Sequence, residues 1–440
     1  MLNWASRFNI CLFLDSHAYR IAPHTFECLL AVGASEQLRV PADRVPDPFS
    51  LLEEFARKNN SEWLFGHVGY DAGTPSTLPG KALSDHPDGV PPAYSDPIGF
   101  PDLFFFVPET VIELNKDHLR IGVPAEEAEQ VERQATIIFQ QILDSPSRAR
   151  GPAVTTQEPL QSKFTREEYI ETIQRLRAHI LRGDCYEINF CQEFFADGTV
   201  LDPIAVYLAL SEASPTPFGA FYRLDDHYLF CASPERYLAC KAGKLFSQPI
   251  KGTSPRNLPD PEQDRLNREN LYHSEKDRAE NVMVVDLVRN DLSRVCLPGS
   301  VRVEELYGIY SFPQVHQMIS TISGELLPGM GLGDCLRETF PMGSMTGAPK
   351  KRVMELIAQY ERSRRGLFSG AVGYALPGSG ADARDFDFNV VIRSIFYNRA
   401  SRHLSYQVGS GITFNSEPEK EYEECLLKAQ AIRKVLDGEG

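Results

Sequence analysis

Residues 227–248 restrict the fold more than any other stretch of the chain. They hold three strand-like runs, 227–232, 236–240 and 244–248. Ala242-Gly243 sits between the last two as a tight turn pair, which predicts an antiparallel hairpin. Similar runs recur at 103–107, 370–376, 388–397 and 404–408. Helical patterns lie between them at 274–292, 350–360 and 418–436. Another helix opens on a capping box, Thr165 with Glu168. It carries Tyr169, Ile173, Leu176 and Ile180 on one face and stops at Gly183. Strands that arrive in groups, with helices interspersed, predict an α+β fold with large, mainly antiparallel sheets flanked by helices.

Residues 146–163 are polar, contain proline and show no periodicity, so they read as a linker. They divide an N-terminal region, 1–145, from a larger region, 164–440. A loop rich in Pro, Gly and Asp over about 71–102 interrupts the first. No run approaches the ~18 apolar residues of a membrane span. Residues 1–13 lack a leader-like cleavage pattern. Nine cysteines without C-x-x-C spacing imply reduced thiols in a cytoplasmic protein, and neither a disulfide frame nor a zinc site. The net charge of −15, with no basic patch, argues against a nucleic-acid partner. A small anionic substrate would then need a local pocket of positive charge, backbone N–H groups or a metal.

Several residues could build such a pocket. Asp277 and Glu280 share one helix face, and Glu421 and Glu424 share another. Two such pairs would suit Mg²⁺, which prefers oxygen ligands. The plainer alternative is acid placed in a first helical turn, with Glu424 and Lys428 as an i,i+4 ion pair. Lys251, after a strand end, is a covalent nucleophile if its pKa is lowered, and otherwise a loop lysine. Glu235 is a general acid if buried, and otherwise a turn residue. Arg393, inside the apolar run 388–397, needs either a substrate carboxylate or a salt bridge. Two small-residue loops, 343–350 and 409–411, offer backbone N–H groups or are ordinary turns.

In their order these motifs resemble the chorismate-utilising enzymes. That family includes anthranilate synthase large subunits, aminodeoxychorismate synthase component I, and isochorismate and salicylate synthases. The likeness runs from about residue 164 to 440 through GDCYEINF, ASPERYL, PIKGTSPR, SEKDRAENVMVVDLVRNDLSRV, GSMTGAPK, SGAVGY, FNVVIRS, YQVGSGIT and EPEKEYEECLLKAQAI. The segment FGHVGYD at 65–71 looks like the N-terminal domain of the family. The resemblance implies that Glu280 and Glu424 bind Mg²⁺, with Asp277 and Glu421 acting through water. It implies that Arg393 and Tyr374, helped by Gly411, hold the enolpyruvyl carboxylate. Gly343, Ser344 and Lys428 fall near the ring carboxylate, with Gly409 in the adjoining glycine motif. Glu235 matches the acid that protonates the departing C4 hydroxyl.

Lys251 points to one branch. Relatives with Ala in the Pro-Ile-x-Gly-Thr motif resemble anthranilate synthases, and relatives with Lys aminate chorismate at C4, on the route to 4-aminobenzoate and folate. Two positions depart from the pattern. Gln317 stands where a histidine is frequent, and glutamine transfers no proton at neutral pH. Glu187 stands where amidating relatives often carry Gln. No Gly-x-Cys-x-Gly glutaminase turn occurs, so the resemblance implies ammonia from a separate glutamine amidotransferase subunit. The competing readings are an anthranilate synthase large subunit and a non-catalytic chorismate-binding subunit. Retention of Glu235, Glu280 and Glu424 opposes the latter.

Overall fold

A computed structural model describes residues 1–19, 26–41, 47–73, 96–124, 127–146, 154–156, 158–378 and 384–438. Two large sheets face each other, and every described strand pairing is antiparallel. The eleven-stranded sheet contains Ile10–Asp15, Cys28–Val32, Phe218–Leu224, His227–Ser233, Ser394–Asn398, His403–Ile412 and Glu187–Ala196. The ten-stranded sheet contains Leu64–Val68, Leu103–Val107, Ala371–Ala375, Phe386–Val390, Arg236–Lys241, Lys244–Gln248, Ile250–Pro255 and Val315–Glu325.

Strand alternation separates two cores. Leu12 and Leu29 face the second sheet, where they meet Phe65, Phe104 and Phe388 in one apolar cluster. Their neighbours Phe13 and Leu30 face the helices outside, with Tyr169, Ile173 and Leu176 of the Arg166–Leu181 helix. A period of two thus sends successive residues of one strand into different layers. Both sheets cross the division drawn at 146–163. Ile10–Asp15 pairs with Phe218–Leu224, and Leu64–Val68 pairs with Ala371–Ala375.

The capping box at Thr165 and the hairpin at Ala242-Gly243 form as expected. The run 388–397 does not form a single strand. It splits into Phe386–Val390 in one sheet and Ser394–Asn398 in the other. The chain crosses between them through Arg393, whose φ is 51°. The helix expected over 418–436 divides at Ala429 into Pro418–Lys428 and Gln430–Leu436. Residues 74–95 of the expected long loop, and 147–153 and 157 of the expected linker, lie outside the described residues. All nine cysteines are free thiols. No described helix is long and apolar enough to cross a membrane.

Candidate active site

The site begins at an irregularity. Ile250 lies opposite Ile319 on the neighbouring strand, but Thr253 lies opposite Gln317. Ile250–Pro255 therefore carries one extra residue, a β-bulge that re-aims side chains. Gly252, in the bulge, has φ +95°, and a Cβ there would lie 3.0 Å from Cβ of Asp277. Glycine thus permits both the turn and the close approach of the Glu275–Ser293 helix. Lys251, inside the bulge, reaches across to the other sheet. Its Nζ donates to Oε1 of Glu187 at 2.5 Å. Their side chains are 10% and 3% exposed, and Oε2 of Glu187 is buried with no partner. A Cβ on Gly411 would fall 2.6 Å from Lys251 Nζ and 2.7 Å from Glu187 Oε1, so only glycine leaves room for this pair. Burial alone would lower the lysine pKa. The carboxylates of Glu187, Glu280 and Glu235 outweigh it and raise the value.

Glu235 follows Ser233-Pro234 and is buried. Its N–H donates to Ser233 Oγ at 3.2 Å, and its carbonyl accepts from the Val390 N–H at 3.0 Å, which fixes the backbone between two strands. Burial pushes its carboxyl up to about 7, while the Ser344 hydroxyl, Lys251, the Ile250 N–H and Arg393 pull the other way. Such a group supplies a proton near neutral pH. Arg393 is half-buried, and its guanidinium makes no hydrogen bond or ion pair among the described residues. Burial lowers its pKa and the Glu235 charge opposes that. A half-buried guanidinium with no partner among the described residues is prepared for an incoming carboxylate.

Ser344 belongs to the short turn Gly343–Met345, and a Cβ on Gly343 would lie 3.0 Å from Leu287 on the Glu275–Ser293 helix. That helix also carries Asp277 and Glu280. The facing carboxylates, Glu421 and Glu424, lie on Pro418–Lys428. Lys276 stands between the two helices, 3.8 Å from Glu280 Oε1 and 3.5 Å from Glu421 Oε1. Glu280 Oε1 and Glu421 Oε2 are buried without a hydrogen-bond partner. Burial pushes Glu280 up to about 7. Glu424 is held below the usual range by Lys428, whose Nζ is 2.9 Å away and also donates to the Gly409 carbonyl at 3.0 Å. Among the described residues no three His, Cys, Asp or Glu side chains are gathered into a ready-made metal nest. The oxygens of Glu280 and Glu421 left without a hydrogen bond nevertheless have the donor chemistry that Mg²⁺ takes.

Residues 11–434 match the chorismate binding enzyme family. The chain belongs to that family. Its relatives include aminodeoxychorismate synthase component 1 of Klebsiella aerogenes, 41% identical over 63% of this chain and 59% of that protein. The Escherichia coli K12 protein of the same name is 40% identical over 63% and 59%. The chain thus spans about three fifths of the length of these relatives. Anthranilate synthase component 1 of Thermus thermophilus is 34% identical over 91% of this chain and 81% of its own length. Among solved structures, anthranilate synthase component I from Streptococcus pneumoniae superimposes with a TM-score of 0.76 at 25% identity, covering 94% of this chain and 93% of that one. The menaquinone-specific isochorismate synthase MenF from Escherichia coli shares the fold, with a TM-score of 0.74 at 17% identity, covering 99% and 91%.

Most of the residues singled out in this chorismate binding enzyme converge. Lys251, Glu235, Arg393, Ser344, Glu280, Glu424 and Lys428 are linked by contact or by mutual charge. Tyr374 does not join them. It lies opposite Phe65 and Asp387, and its ring packs on Phe26 at 5.3 Å, Trp63 at 5.9 Å and Phe65 at 6.1 Å. The charges it senses, Asp387, Arg236, Asp385 and Glu113, all lie outside the cluster. The motif supplied a phenol, but strand alternation turned it into the aromatic layer. Gly409 and Gly411 also differ from expectation. They are strand residues opposite Cys191 and Asn189, not a free loop. Their service is close approach, because a Cβ on either would strike neighbouring atoms.

Two further polar residues drew no role from the sequence. Lys276 was hidden among charges of an exposed helix start, although its spacing to Glu280 is an ordinary i,i+4 pair. Gln317 is 1% exposed, and both its amide atoms lack partners. His316 beside it is engaged by Ser311 at 2.9 Å and Asp264 at 3.2 Å.

Proposed function

We propose that this enzyme aminates chorismate at C4 to give 4-amino-4-deoxychorismate, a step toward 4-aminobenzoate and folate. The observation that carries the reading is Lys251, buried between the sheets within electrostatic reach of the acid Glu235. The relatives named aminodeoxychorismate synthase component 1 support the same branch.

Arg393 holds the enolpyruvyl carboxylate by a bidentate contact. Ser344, the Gly343 turn and Lys428 face the ring carboxylate. Glu235, protonated near neutral pH, delivers its proton to the C4 hydroxyl, since hydroxide is a poor leaving group. The Lys251 amine adds at C2 as water departs from C4. Ammonia then adds at C4 and expels the lysine from C2. Glu280 and Glu424 would hold Mg²⁺, with Asp277 and Glu421 in support through water. When bound, the ion stabilises negative charge on the substrate. A separate glutamine amidotransferase subunit supplies the ammonia, and the pair works in the cytoplasm.

The test is direct. The purified chain is incubated with chorismate, Mg²⁺ and ammonium, and the product is identified by mass and NMR. Aminodeoxychorismate from the wild type, lost in Lys251→Ala, supports the reading. A second reading, an anthranilate synthase large subunit, draws on the longer alignment with the Thermus thermophilus protein. Anthranilate plus pyruvate, unaffected by Lys251→Ala, would replace the first reading with the second.

A further inference from the structure

We propose that Glu187 is the proton acceptor that frees the Lys251 amine. The inference rests on the lysine chemistry proposed above and deepens it. An ammonium group has no lone pair, so Lys251 must lose a proton before it can bond to carbon. Its surroundings oppose that loss. Glu187 faces it from the Glu187–Ala196 strand and Glu235 from its own sheet, and both favour the cation; Glu280 and Glu424 stand on two helices, where they would be taken up by Mg²⁺. The same cation must become an amine without a long route to solvent, because the side chain is only 10% exposed.

Among the described residues, Glu187 is the one hydrogen-bond partner of the Lys251 ammonium. No hydrogen bond or ion pair joins Lys251 to Glu280, Glu424 or Glu235. Glu235 is also committed to donating a proton, so it does not take one first. Glu187 has spare capacity, since Oε2 is buried with no partner. Gly411 leaves the pair its space and offers no competing side chain. Substrate entry excludes water, and a dry site favours the neutral amine and neutral acid over the ion pair.

The steps balance. The proton moves from Lys251 Nζ to Glu187. The amine forms a bond to C2 while the C4–O bond breaks, and the oxygen leaves as water with the proton of Glu235. Ammonia then bonds to C4 as the C2–N bond breaks, which returns Lys251 as an amine. That amine recovers its proton from Glu187, and the new C4 ammonium returns one to Glu235. The sum is chorismate plus ammonia giving aminodeoxychorismate plus water. A glutamine at 187 would keep the hydrogen bond but could not accept the proton.

The experiment follows the covalent adduct, with ammonia left out. Wild-type and Glu187→Gln protein are mixed with chorismate and Mg²⁺ and quenched rapidly. The mass gain of chorismate minus water is read on the Lys251 peptide from pH 6.5 to 9.5. The expected wild-type to Glu187→Gln rate ratio is about 10²-fold or more at the acid end. It falls about tenfold per pH unit as solvent takes over the deprotonation. Taking the ratio cancels the titration of Glu235. Glu187→Asp, which keeps a carboxylate, is expected to hold a constant ratio to wild type, and it serves as the variant if Glu187→Gln does not fold. A Glu187→Gln ratio near one, or a loss that is the same at every pH, would overturn the proposal and leave Glu187 a spacer. A wild type that forms no adduct, or a Lys251→Ala variant that still makes aminodeoxychorismate, would overturn the lysine reading itself. Wild-type adduct together with inactive Lys251→Ala leaves Glu187 alone under test.

Discussion

Two buried ion pairs lie along the strand Glu187–Ala196, and they differ in how fully they are satisfied. Arg365 is the saturated one. Its guanidinium donates to both carboxylate oxygens of Glu361, at 2.9 and 2.6 Å, to the Met345 carbonyl at 2.6 Å and to the Asn189 carbonyl at 2.9 Å. Glu361 also accepts from the Cys191 N–H at 2.9 Å. The pair ties this strand to the turn that carries Ser344. Lys251 and Glu187, at the strand's start, share one hydrogen bond and leave an oxygen orphaned, with Arg393 idle nearby. A saturated pair is framework, and an unsaturated one is waiting for something. Buried polar groups are costly unless paired, so open valence on Glu187, beside Lys251 and Arg393, is available to a substrate.

The largest expected effect tests the framework side. Arg365→Met strands a buried carboxylate and should destabilise the fold by about 3–5 kcal/mol in urea unfolding. The double change Lys251→Met with Glu187→Leu should leave stability near or above wild type. Equal losses in both would erase the distinction between the pairs.

Glu235 and Glu193 give the next test. Both are buried, and burial pushes each to about 7. Glu235→Gln should lower the proposed amination about 10²–10⁴-fold, whereas Glu193→Gln should leave it within about twofold. Their pH linkage has a defined sign. A carboxyl raised from about 4.3 to about 7 on folding contributes stability below about pH 4 and loses it as the pH rises through 7. Glu193→Gln should therefore gain about 1–3 kcal/mol at pH 8 and nothing at pH 4, read from urea midpoints. A gain at pH 4 would contradict that cause.

Arg393→Met should weaken chorismate binding by about 1.5–3 kcal/mol, roughly 10- to 150-fold in KM, with a smaller change in kcat. Tyr374→Phe should give the smallest effect, under about twofold in kcat/KM, because it removes a hydroxyl from the aromatic layer and not from the site. A loss comparable to that of Arg393→Met would return Tyr374 to the substrate.

Local physics made much of the chain legible. The capping box at Thr165, the Ala242-Gly243 turn and the i,i+3 carboxylate pairs need only neighbours in sequence, and all took the predicted form. Motif order identified the family and nominated Lys251, Glu235, Arg393 and the two acidic helices. Strand direction was harder to read. An apolar run such as 388–397 does not say that its halves belong to different sheets, because period two persists across the break. Nor does a tyrosine in a motif say which face it takes.

Residue types and spacing thus fixed the α+β class, the family and the chemistry on offer, since backbone preference and side-chain reactivity are properties of short segments. Tertiary structure alone decided which groups meet. Lys251 finds Glu187 across 64 residues and two sheets, through a bulge and a glycine gap that no local pattern announces. It also decided which polar atoms stay unpaired, because satisfaction is a sum over every neighbour that folding brings near.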